Sequence, residues 1–135
     1  MSINIKNKAF WSYGFCIHLG LVLLIAVSAY LGILPTEYKG LPRYDLVGHA
    51  VLIGLLAFFL DGMLNFRLLF FGRFLEIRLA PVLILSLAAL EEIAQVFSPH
   101  RTASLSDFFA DAVGIVLCSW LAKYLAQRAA VRKVS

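Results

Sequence analysis

Four stretches of this chain run for roughly the 20 residues that a helix needs to cross a hydrocarbon core with almost no charge inside them. They are Trp11 to Leu34, Leu46 to Met63, Leu79 to Phe97 and Phe108 to Leu125. A water-soluble domain carries about a quarter charged residues. Here charged residues are 15% and hydrophobic residues 61% of 135, with a mean hydropathy of +0.87. The apolar residues are blocked into runs, which excludes disorder, a coiled coil and an ordinary soluble core. The expected fold is therefore all-α: one polytopic membrane domain over residues 1–135, with four transmembrane helices in a bundle.

The flanks of the runs set the orientation. Lys6, Lys8, Arg67, Arg73, Arg78, Lys123, Arg128, Arg132 and Lys133 fall on one side, and only Lys39, Arg43 and Arg101 on the other. Nine against three makes both termini cytoplasmic by the positive-inside rule. The same rule accounts for the net charge of +4 without a nucleic-acid partner. Val27-Ser28-Ala29 resembles a signal-peptidase site, but the apolar run continues to Leu34 and exceeds the h-region of a signal peptide, about 7–15 residues. Two prolines and a glycine between Pro35 and Asp45 read as a tight polar loop. The Phe/Arg mixture from Asn65 to Arg78 reads as interfacial. Cys16 and Cys118 lie in apolar runs with no pairing or metal-ligand spacing, as buried small hydrophobes do.

With that topology the polar residues of three spans collect in one leaflet. Asp45 and His49 open the second span, Glu91, Glu92 and Gln95 close the third, Arg101 lies in the outer loop, and Asp107 and Asp111 open the fourth. Asp45/His49 and Asp107/Asp111 are four apart and Glu92/Gln95 three apart, so each pair shares a helix face. A carboxylate facing lipid at a helix centre costs about 2.5 kcal/mol or more, which turns such groups toward a bundle interior or a wet cavity. An outward-opening polar pocket between spans two, three and four is expected. Its acids cannot all ionise together without repulsion unless a cation or bound metal compensates.

The run from Glu92 to Gly114 resembles the E-x-x-Q-x-F-x-P-x-R-x-x-S-x-x-D-x-x-A-N-x-x-G pattern of VanZ-like membrane proteins, through Glu92, Gln95, Phe97, Pro99, Arg101, Ser104, Asp107, Ala110 and Gly114. Asp45 and His49 resemble that family's D-K-x-x-H. Asp111 stands where the family usually has Asn, and Leu46 where it often has Lys. The resemblance covers about Asp45 to Gly114. It implies a cell-envelope protein of the bacterial plasma (inner) membrane, in a family named for a member associated with teicoplanin resistance.

Structural readings stand beside the functional ones. Ser104 and Asp107 have the spacing of a capping box. Ala110, Gly114, Cys118 and Ala122 form a small-residue ridge for close helix packing. His18 reads as a satisfied bundle histidine, His100 as a solvent-exposed loop residue, Asp61 as the interfacial end of the second span, and Arg67, Arg73 and Arg78 as topology anchors. Two functions fit the outer cluster. In the first, Arg101, Gln95, Glu91, Glu92, Ser104, Asp107 and Asp111 bind a lipid headgroup or a lipid-linked envelope precursor, and the acid excess favours a cationic or metal-bridged one. In the second, His49, Asp45, Glu92 and Asp107 are candidate catalytic groups for phosphate or acyl transfer or hydrolysis, and a metal version would use the same four. No P-loop, H-E-x-x-H or G-x-S-x-G is present, and the sequence identifies no cofactor. A proton pathway would need His18 and Asp61 to continue the cluster inward.

Overall fold

The computed structural model describes residues 5–33, 42–72 and 75–131. Four helices, α1 (Ile5–Tyr30), α2 (Pro42–Met63), α3 (Leu79–Gln95) and α4 (Leu105–Val131), are joined in the middle by a hairpin of β1 (Leu68–Phe71) and β2 (Leu75–Arg78). Stretches of three of them, Lys8–Tyr30, Asp45–Met63 and Leu105–Val131, are long and apolar enough to cross a membrane. Their outer faces are apolar as well: Leu24, Val51, Val116 and Leu117 are exposed, which suits a lipid solvent and not water.

The helix bounds differ from those read off the sequence. α1 stops at Tyr30, four residues short of Leu34, because the chain turns through Gly32 at φ +68°. Of the loop expected over 35–45, residues 35–41 lie outside the described residues, and α2 has already begun at Pro42, where a proline's missing N–H costs nothing. α3 ends at Gln95 and α4 extends beyond its expected run at both ends.

α2 and α4 form the closest pair, and small residues make it so. A Cβ on Gly114 would stand 2.0 Å from the Ala50 carbonyl oxygen, and one on Gly54 2.7 Å from that of Gly114. The two helices run parallel, with Asp107 and Asp111 level with His49 and Ser119 at the far end near Asp61. The buried stripe of α4 is Asp107, Asp111, Gly114, Ile115, Ser119 and Ala122. This is a helical repeat that includes half of the expected ridge. α1 runs antiparallel to α2. Trp11 sits over Gly62 and packs on Phe58 with ring centroids 5.0 Å apart, and His18 Nε2 donates to the Leu52 carbonyl at 2.8 Å. His18 is thus the satisfied bundle histidine expected. α3 buries Ala80, Ile84 and Ala88 on one face.

The interfacial segment is a hairpin. Antiparallel pairing sets Leu68 opposite Arg78 and Phe71 opposite Leu75, with Gly72 at φ +66° where the chain turns. α2 leads into it through Asn65 and Phe66, both in the left-handed region. Such a conformation is costly for a bulky residue, and here the Phe66 ring is held edge-on to Trp11 at 6.1 Å.

Candidate functional site

The i, i+4 spacing of Asp45/His49 and of Asp107/Asp111 has its expected result: α2 and α4 present these faces to each other. His49 Nδ1 lies 3.3 Å from Asp111 Oδ1, and Nε2 lies 3.8 Å from Asp107 Oδ2. Asp45, His49 and Asp107 each offer a ligand atom, and these atoms all fall within 4.8 Å of one another. Three of the four groups of the metal reading are therefore together. The fourth, Glu92, is engaged elsewhere, because its Oε2 accepts the Ser104 backbone N–H at 2.8 Å. In a capping box that N–H would go to Asp107. Glu92 takes it from a neighbouring helix instead, while Ser104 still begins α4 through its carbonyl, which accepts from the N–H of Asp107 at 3.0 Å.

A second group lies on α3. Gln95, 1% exposed, donates to Glu91 through Nε2, and Tyr30 Oη donates to the other Glu91 oxygen at 3.3 Å. Sequence reasoning does not single out Tyr30, although a tyrosine in the last part of an apolar run is the signal of a side chain with an apolar body and a polar tip. Arg101 is half-buried, and its Nε has no hydrogen-bond partner among the described residues.

These polar groups surround one end of a cavity of about 440 Å³. Asp45, His49, Glu91, Arg101, Asp111 and Tyr30 line it, but most of its wall is apolar, from Leu19, Val22 and Ala26 of α1, Leu52 and Leu56 of α2, and Ile84, Leu87 and Ala88 of α3. The cavity differs in two ways from the pocket expected. α1 supplies a wall, and Glu92, Gln95, Ser104 and Asp107 stand behind the lining. The cause is local: aromatic packing clamps α1 to α2 at the Trp11 end, whereas small residues such as Ala26 and Ala29 leave space toward Tyr30. At the polar end the carboxyl groups of Asp45, Glu91, Glu92, Asp107 and Asp111 gather around the cavity rim with the guanidinium of Arg101.

The other end of α2 adds a contact to what the sequence suggests. Asp61, two residues before the end of α2, is fully buried and ion-paired with Arg78, whose Nη1 also donates to the Ser119 carbonyl at 2.6 Å. Arg78 is thus a packing element of the bundle. Comparison with protein-family models, with curated proteins and with solved structures found no match to this chain.

Proposed function

We propose that this chain is a VanZ-like, four-span protein of the bacterial plasma membrane that holds a lipid or lipid-linked envelope precursor in the cavity, its headgroup at the Arg101–His49 end. The observation that carries this reading is the distribution of polarity in one cavity. Apolar walls from three helices lead to a rim of titratable side chains, which is the complement of an amphiphile. Its volume lies within the range of ligand pockets, roughly 300–1,000 Å³. Arg101 grips a phosphate, with Tyr30 as a further hydrogen-bonding group.

α3 is the fourth span in this reading. Its 17 residues extend about 26 Å at 1.5 Å each, and it joins the level of Arg78 and Asp61 to that of Glu91 and Tyr30. The Lys/Arg asymmetry supports a topology with both termini in the cytoplasm and the cavity mouth outside, where envelope precursors are used and where glycopeptides such as teicoplanin act.

Native mass spectrometry of the protein released from its own membranes tests the reading. The wild type retains a discrete lipid species that Arg101→Ala and the cavity-filling Ala88→Phe both lose. The same nonspecific phospholipid profile in all three refutes it.

A second reading, a membrane-embedded phosphate or acyl transferase or hydrolase, is supported by His49 standing between two carboxylates. The orienting partner in that case is Asp111, at 3.3 Å from Nδ1, and not Asp45 as the sequence suggests. His49→Gln separates the two: an enzyme keeps the retained species and loses turnover, whereas a binding protein has no turnover to lose.

A further inference from the structure

The His49 cluster has features that amphiphile binding does not explain. The 3.8 Å between His49 Nε2 and Asp107 Oδ2 is too long for a hydrogen bond, which runs about 2.7–3.2 Å. Yet it suits two ligands of one ion, each about 2.1 Å from it and so no more than about 4.2 Å apart. Asp45, one turn before His49 on the same face of α2, brings a third ligand atom within 4.8 Å of the other two, a small rotamer change from one coordination sphere. The other ring nitrogen, Nδ1, lies 3.3 Å from Oδ1 of Asp111, whose side chain is only 5% exposed. Its position behind the ring is that of the group that orients a metal-bound histidine through its second nitrogen.

We infer that Asp45, His49 Nε2 and Asp107 bind a divalent cation of the Mn²⁺ to Zn²⁺ class, with Asp111 holding the His49 ring in place. An imidazole with two carboxylates favours a first-row transition ion over Ca²⁺ or Mg²⁺, which take all-oxygen sets. Three protein ligands leave coordination positions for water or a ligand oxygen, and Asp45 and His49 both line the cavity. The ion cancels part of the acid excess at that end. The site stands on the α2–α4 contact and does not depend on the cavity being occupied by a lipid.

The test is Mn²⁺ binding to the purified full chain in phosphatidylcholine nanodiscs, read by electron paramagnetic resonance and by Zn²⁺ competition. One tight site per chain is expected, abolished by His49→Gln and by Asp107→Asn. Asp111→Asn weakens it by about 10- to 100-fold, as loss of an orienting partner does. Glu76→Gln and His100→Gln, which remove an exposed acid and an exposed histidine elsewhere, leave the affinity unchanged. Circular dichroism checks that each variant is folded. If Asp107→Asn fails to fold, Asp45→Ala, at an exposed position, replaces it and must also lose the site. Absence of tight Mn²⁺ or Zn²⁺ binding by the folded wild type overturns the inference. So does unchanged affinity in the folded ligand variants, or equal weakening by Glu76→Gln.

Discussion

Helix α2 carries an acidic group near each end, and the two ends have been built in opposite ways. At one end Asp61 is sealed from solvent, faces one arginine, and that arginine is fastened in turn to a backbone carbonyl of α4. At the other end Asp45 and His49 meet two more carboxylates from α4, with Glu91, Glu92 and the Arg101 guanidinium nearby and a cavity alongside. A carboxylate inside a bundle is therefore not a functional signal by itself. What distinguishes the two ends is charge balance and access: one acid is paired and enclosed, and the other acids exceed their partners and line a space.

The largest expected effect breaks the enclosed end. Asp61→Ala leaves the half-buried Arg78 without its carboxylate and costs about 3 kcal/mol, whereas Asp61→Leu combined with Arg78→Met loses far less, because an apolar pair needs no compensation. Unfolding by SDS titration in mixed micelles measures both. Next, Glu92→Ala removes the charged acceptor of the Ser104 N–H and costs roughly 1.5–3 kcal/mol in the same assay.

Gly114→Ala then sharpens the comparison by acting between the two ends. Its Cβ meets the Ala50 carbonyl, forcing α2 and α4 apart at a cost of about 1–3 kcal/mol. It also weakens Mn²⁺ binding, since His49 and Asp107 sit on the separated helices. The smallest change in stability, within about 1 kcal/mol, is expected for His49→Gln, which alters cation binding and not the fold. If His49→Gln proves as destabilising as Asp61→Ala, the two ends are not different in kind.

The helices and the clustering of Asp45, His49, Asp107 and Asp111 were legible because both rest on local periodicity: apolar runs set the spans, and four-residue spacing sets the shared faces. The Asp61–Arg78 pair was not. Its members are 17 residues apart, and the chain returns to the bundle between them through a hairpin whose Phe/Arg composition signals an interface and not a fold. Taken singly, each has the character of a residue at a span's end. Ser119 gave no signal at all, since its backbone carbonyl makes the contact. The apolar cavity depends on how α1 sits against α2 and stands off from α3, which follows from the fit of Trp11 over Gly62 and not from any pattern along α1. Glu92 shows a subtler limit: Ser104 and Asp107 have the spacing of a cap, but the N–H in question goes to an acid 12 residues away.

The claim that the open end is a site for an amphiphile is tested most directly by photocrosslinking in the native membrane. A photoactivatable side chain is placed at Leu52, in the cavity wall, and in a second protein at Val116, on the exposed outer face. The adducts at 52 should carry a headgroup distinct from bulk lipid and should disappear with Arg101→Ala, while those at 116 report bulk lipid and do not change. Adducts of the same composition at both positions, indifferent to Arg101, would contradict the account.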